Sequence, residues 1–309
     1  MRRTSDPVAL RGFTLIELIT ALVLTGILAA AAAVFLRVPI AGYFDLARRA
    51  ALTDIADLAV RRFSRDVQTA LPNSVRVAGA CNGLTTCYLE YLEVRTSGRY
   101  REEPAGVGPL MCPPGAGAYT DALQVGAVDT CFRSLGAIPN LANIVTGVAG
   151  DFLVVYNLGP GFAGANAYAS GGVTGGNKSR ITAVAAGAGS EDMIVFQPLA
   201  FPLASPDSRF HVVSGPVTYV CNPSPLPGVG TLTRQWGYAI GAAQGTPPAG
   251  GVNALLANGV TGCSFTYNPN VVAQRNGTVS IRLELTQTDP AGTPERVTLF
   301  SQVHVSNVP

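Results

Sequence analysis

The sequence predicts an α+β fold, in which one long N-terminal helix lies by its second half on a mainly antiparallel β-sheet head. Three observations carry this. Residues 18–36 are an uninterrupted, uncharged run of 19 residues dominated by helix formers. Leu52, Ile55, Ala59, Phe63, Val67 and Leu71 then recur at spacings of three and four, which makes one apolar helical stripe. From residue 73 onward that periodicity disappears, and Gly, Pro, Asn, Ser and Thr break the chain into short alternating runs.

The first apolar run is long enough, at ~1.5 Å per residue, to cross the ~30 Å hydrocarbon layer of a bilayer. Arg2, Arg3 and Arg11 precede it, and the positive-inside rule keeps that side in the cytoplasm. The expected topology is single-pass, with the N-terminus cytoplasmic and everything after the run outside the cytoplasm. A secretory signal peptide fits poorly, because Arg37, Val38 and Pro39 follow the run where small residues belong. A plain anchor also fits poorly. It has no reason to place the carboxylate of Glu17 at the edge of the run, where a charge costs several kcal/mol unless it finds a partner.

Pro39 and Gly42 are expected to bend or briefly break the helix, since an interior proline removes a hydrogen bond and clashes with the preceding turn. The amphipathic half follows. Asp45 with Arg49 and Asp57 with Arg61 are i,i+4 pairs with the acid on the favoured N-terminal side. Pro72 closes the segment by pushing its predecessor out of helical geometry. Residues 13–71 as one helix would be about 90 Å long.

Strands are predicted at residues 87–96, 152–157, 180–185, 193–197, 210–214, 217–221, 235–240, 263–267, 278–286 and 296–305. In residues 279–285 the apolar side chains take the odd positions, the sign of a sheet with one buried and one wet face. Residues 297–305 alternate likewise, with a lapse at Phe300-Ser301 that reads as a bulge. These two runs are expected to pair as antiparallel neighbours. Residues 104–127, 158–178 and 241–261 are rich in Gly, Ala and Pro, and read as surface excursions from one domain with little to build a second core.

The chain holds 21 Lys plus Arg against 19 Asp plus Glu, and without its first twelve residues the balance is 18 to 18. Such neutrality, with no basic patch interleaved with aromatics, gives no support for a nucleic-acid partner. Cys81, Cys87, Cys112, Cys131, Cys221 and Cys263 all fall on the side of the run that this topology places outside the cytoplasm, where an even count favours disulfides. Six thiols allow fifteen complete pairings; local chain economy favours Cys81–Cys87, Cys112–Cys131 and Cys221–Cys263.

No metal and no cofactor is expected, because there is no CxxC and His211 and His304 lie far from any cysteine pair. No catalytic set is expected either. Both histidines sit inside strand candidates, and no GxSxG surrounds a serine. In residues 171–179, Asn177 separates the glycines from Lys178, which spoils the likeness to a phosphate loop. Glu90, Glu93, Glu102 and Glu103 read as solvated strand and turn residues. Glu191 and Asp192 precede a strand and are at most a weak cation site.

Gly12-Phe13-Thr14-Leu15-Ile16-Glu17 resembles the N-terminal signal of type IV pilins and pseudopilins. The resemblance implies that residues 1–12 are a leader removed by a prepilin peptidase between Gly12 and Phe13, and that the new Phe13 amine is methylated. Glu17, fifth in the mature chain, would then act in assembly with other major and minor pilins or pseudopilins and an inner-membrane assembly platform. Residues 13–38 would be the transmembrane assembly helix, 39–72 the amphipathic helix on the head, and 73–309 the periplasmic head. Residues 209–221, 262–267 and 302–309, with Cys87-Tyr88-Leu89-Glu90-Tyr91, are similar to the MshO family, minor-pilin-like biogenesis proteins of the mannose-sensitive haemagglutinin (MSHA) pilus. They also resemble the larger minor pseudopilins of type II secretion, of the PulJ or GspJ kind. Both likenesses imply a structural subunit of low abundance, at or near a fibre tip, and no enzyme.

Overall fold

The computed structural model describes residues 12–103, 112, 121–169, 176–187, 191–271, 275–289 and 292–309. It is a long helix followed by an antiparallel β head, the α+β class that the apolar periodicities predict. The chain divides into two compact units, one ending at Ala51 and one running Leu52–Pro309. The leader expected at residues 1–12 lies outside the described residues except for Gly12.

Helix α1 spans Leu15–Val67, 53 residues with Pro39 inside. The break expected at Pro39 and Gly42 is absent, and the helix runs through both. One missing amide is tolerated where strong helix formers, Ala29 to Ala33 before it and Leu46, Ala47, Arg48 and Arg49 after it, propagate the helix from both sides. Asp45 takes Arg48 as its ion-pair partner, and Asp57 takes Arg61 at 2.6 Å. The helix stops at Val67, short of the expected end at residue 72. Thr69 turns its hydroxyl back onto the Asp66 carbonyl at 2.7 Å, and the chain then bonds to a strand instead of continuing: the Leu71 amide donates to the Leu92 carbonyl at 2.8 Å.

Twelve strands follow among the described residues: β1 (Arg76–Gly79), β2 (Cys87–Arg99), β3 (Asp129–Arg133), β4 (Phe152–Val155), β5 (Lys178–Ala185), β6 (Met193–Leu199), β7 (Arg209–Asn222), β8 (Thr231–Trp236), β9 (Val252–Asn258), β10 (Val260–Val271), β11 (Asn276–Thr288) and β12 (Pro294–Ser306). The larger sheet has the order β1-β2-β7-β4-β5-β6-β3, with β8 and β9 branching from β7. The smaller sheet is β10-β11-β12. The runs predicted at 210–214 and 217–221 are one strand, β7, carried through Gly215 and Pro216 by register shifts on β2 opposite. The run predicted at 235–240 ends at Trp236.

β11 and β12 pair without any register shift, from Asn276↔Ser306 to Thr288↔Pro294. The bulge expected at Phe300-Ser301 is therefore absent. The strand keeps its pleat, so Phe300 points outward, 68% exposed, while Ser301 points inward to the Ser64 hydroxyl at 3.3 Å.

The helical stripe is buried as its spacing requires. Leu52, Ala59, Phe63 and Val67 share a core with Leu89 and Tyr91 of β2, Tyr219 of β7, Phe265 of β10 and Ile281 and Leu283 of β11. Phe63 stands edge-on to Tyr219 and stacks on Phe265, with ring centroids 5.0 and 5.5 Å away. One side chain thus touches both sheets. A second core, Tyr100, Phe132, Phe196, Phe201 and Phe210 with Leu123, lies beneath β3–β6. It requires Gly98 opposite Phe210, because a Cβ there would sit 2.7 Å from the ring.

That second core and strand β9 correct the reading of the Gly- and Ala-rich segments as mere excursions. Leu123 from one segment and the adjacent Ala167 and Tyr168 from another fill cores, and β9 extends the larger sheet. Apolar residues supplied one or two at a time from different loops leave no periodic trace.

Candidate processing and assembly site

Gly12, Phe13 and Thr14 form a non-helical link directly before α1. Phe13 is 84% exposed, and a Cβ on Gly12 would meet nothing within 4 Å. Any need for glycine there comes from whatever grips the link, not from this fold.

The first turn of α1 is closed by a reciprocal cap. The Thr14 hydroxyl accepts from the Glu17 amide at 3.3 Å, and the Glu17 Oε2 accepts from the Thr14 amide at 3.2 Å and its hydroxyl at 3.0 Å. Two amides at the end of the helix, which no intrahelical carbonyl reaches, are satisfied in this way. Thr14 escaped the sequence reading, though T-x-x-E ahead of an apolar run is a capping-box signature. Beyond it Leu18, Ile19, Leu22, Val23, Ile27 and Leu28 are all exposed, and this is the one helix among the described residues long and apolar enough to cross a membrane. Helix-wide exposure of leucine and isoleucine is stable only against lipid or other apolar helices.

The head end of α1 is tied by charge. Asp66, 8% exposed, accepts from Arg234 Nε of β8 at 2.8 Å, from the Tyr219 hydroxyl at 2.9 Å and from Arg62 Nε at 3.0 Å. Arg234 also donates to Glu93 at 2.8 Å. Burial, with the Asp66 charge beside it, holds the Tyr219 hydroxyl well above its ordinary range. Glu90 is buried too, and accepts from Arg76 Nε at 2.8 Å and from the Tyr238 hydroxyl at 3.1 Å. Glu90 is therefore not solvated: it is desolvated against Arg76 of the neighbouring strand β1, whereas Glu93, a third exposed, keeps contact with solvent beside Arg234 of β8. Glu102 accepts from Ser208 at 2.6 Å at the surface, and Glu103 lies in the bend beyond β2.

The remaining sequence candidates are dispersed. His211 sits in β7 beside Ser97 and Val154, and burial pushes its imidazole down to about 4. His304 is on β12, 3.4 Å from the Thr278 hydroxyl. Lys178 points its ammonium at the Ala167 and Ala169 carbonyls, both at 2.6 Å, and burial lowers it to about 8. Glu191 pairs with Arg101, and Asp192 accepts from the Ile138 amide at 2.6 Å. Among the described residues no group of three or more His, Cys, Asp or Glu side chains converges as a metal site. The cysteines are joined as Cys81–Cys87, Cys112–Cys131 and Cys221–Cys263, with Cα separations of 4.8, 5.9 and 6.2 Å.

Residues 10–33 match the family model of the prokaryotic N-terminal methylation motif. The chain carries a type IV prepilin-like processing and methylation motif. The matched segment contains Gly12, Phe13, the Thr14–Glu17 cap and the start of the exposed apolar helix, so motif and geometry coincide. This supports a protein of the pilin and pseudopilin superfamily: a structural subunit with a membrane-anchoring helix, processed by a prepilin peptidase and assembled with other pilins. No curated protein and no solved structure matches the chain.

Proposed function

We propose that the chain is a minor, low-abundance subunit of a type IV pilus of the MSHA type, of the MshO kind, which initiates or caps the fibre. The observation that carries the reading is the methylation motif at residues 10–33, joined to a head of more than 200 residues. A head of that size with a branched larger sheet is bulky for a subunit repeated along a tightly packed fibre, and a single copy at the tip escapes that crowding. Cleavage after Gly12 frees the Phe13 amine, and the protein sits in the inner membrane with its head in the periplasm.

Glu17 is assigned to assembly. The carboxylate that caps its own helix in the single chain is exposed, and a neighbouring subunit's terminal amine competes for it in a medium where unpaired charge is costly. The disulfide set Cys81–Cys87, Cys112–Cys131 and Cys221–Cys263 suits the periplasm. The test is deletion and complementation in the source cell. Loss of surface fibres supports initiation. Intact fibres that no longer attach make the head an adhesin, and intact fibres with failed protein export make the chain a minor pseudopilin of type II secretion.

A further inference from the structure

Among the described residues the smaller sheet ends in an edge that no other strand pairs. Strand β12 pairs with β11 alone among the described residues, over 13 residues. Edge strands of that length are normally blunted by lysine, an inner proline, a bulge or a covering segment. β12 has no lysine, keeps register throughout and carries its only proline at its first position. Residues 297–303 are uncharged.

The layer between helix and sheet also stops short there. Val303 and Val305 are buried, but Val297, Leu299 and Ser301, which face the same way, are only half-buried. Between them and the flank of α1 lies a cleft of about 450 Å³. Its walls include Val60 and Leu299, and its helix side carries Asp57, Arg61 and Arg65. Arg61 is paired with Asp57, whereas exposed Arg65 makes no ion pair with Asp or Glu among the described residues. On the other face of β12, Phe300 stands in solvent.

We propose that this edge accepts one extended strand of a different, acidic polypeptide, added to β12 by main-chain hydrogen bonds. A strand laid about 4.8 Å beyond β12 would turn alternate side chains to the two faces. Carboxylates on its inner face reach Arg65 and Arg61 and cover Leu299 with their stems; apolar side chains on its outer face lie beside Phe300. A second copy of this chain is the poorer occupant, because its own β12 offers one carboxylate, Glu295. The inference stands on the head alone and holds for a pilus or a pseudopilus.

The experiment uses the whole mature chain in detergent and three capped eight-residue probes. One alternates valine with glutamate, one alternates valine with lysine, and one is the glutamate peptide N-methylated at alternate amides. The glutamate probe should bind at least about threefold tighter than the lysine probe, as one new exposed charge pair at Arg65 allows. It should also slow amide exchange in residues 297–304, and the N-methylated probe should do neither. Arg61→Glu with Arg65→Glu should reverse the preference between glutamate and lysine with the melting temperature kept. Equal binding of the N-methylated probe, protection elsewhere on the head, or no binding overturns the proposal. So does concentration-dependent protection of residues 297–304 without any probe, which would make the occupant a second copy.

Discussion

Replacing Phe63 by alanine should separate the helix from both sheets at once. The ring is fully buried and meets Tyr219 at 5.0 Å and Phe265 at 5.5 Å, one ring from each sheet. Phe→Ala in a core costs about 3 to 5 kcal/mol, and two lost aromatic pairs of roughly 0.5 to 1.5 kcal/mol each place this site in the upper part of that range. The cavity opens among residues held by strand pairing, which relax little. At roughly 2 to 4 °C per kcal/mol for a head of this size, a loss of about 4 to 5 kcal/mol lowers the melting temperature by about 8 to 20 °C. Trp236, the single tryptophan, packs against the same core and reports unfolding by fluorescence while the anchor stays in detergent. Phe300→Ala, at a side chain 68% exposed, is the control and should stay within about 0.5 kcal/mol of the parent. A Phe63→Ala shift no larger than that of the control would refute the role given to this ring.

Gly12→Val should leave the fold untouched, since a Cβ there meets open space, yet yield a precursor that keeps its first twelve residues; intact mass reads the difference, and normal Phe13 termini would remove the case for this cleavage site. Glu17→Ala should still insert and mature, losing at most about 1 kcal/mol of helix capping, but should cross-link poorly to other pilins. Unchanged cross-linking would leave Glu17 as a helix cap only. His211 titrates near 4 in the folded chain against 6.5 in a free chain, so the unfolded state takes up the proton first. Stability is then complete above pH 6.5 and falls as the pH drops toward 4, by about 3 kcal/mol at most. His211→Gln should flatten that part of the acid unfolding profile, and an unchanged profile would count against the burial of the imidazole.

The parts of the fold that report on themselves were legible in the sequence. The stripe from Leu52 to Val67 and the alternation in β11 each repeat one local rule several times, and both are buried as the rule demands. Features made by distant partners were not. Glu90 looks like any strand glutamate until Arg76, fourteen residues earlier, and Tyr238, far downstream, are seen around it. β9 lies in a Gly- and Ala-rich window and takes its identity from β8 beside it rather than from its own alternation. At the candidate processing site Gly12, Phe13 and Glu17 stand in one short motif, inside the segment that matches the methylation-motif model. Thr14 was equally open to reading, and the structure supplies its role by closing the cap.

The register of β2 on β7 sets Cys87 directly opposite Cys221. Gly83 meanwhile bridges to Cys263, which brings the Cys81 loop to the start of β10. Four of the six sulfurs therefore gather where the two sheets meet. Directly opposed residues of an antiparallel pair stand about 4.5 to 5.5 Å apart at Cα, within the span a disulfide accepts. Joining Cys87 to Cys221, and Cys81 to Cys263, would give a chain of identical mass with no free thiol. The difference is one of connection. In the observed arrangement the Cys221–Cys263 bond laces the larger sheet to the smaller, whereas the alternative would staple β2 to β7, already held by hydrogen bonds, and leave the sheets linked through the Cys81 loop. Oxidising the head correctly is thus a choice between neighbours rather than a search for distant mates, and fragment connectivity, not thiol counting, records which choice was made.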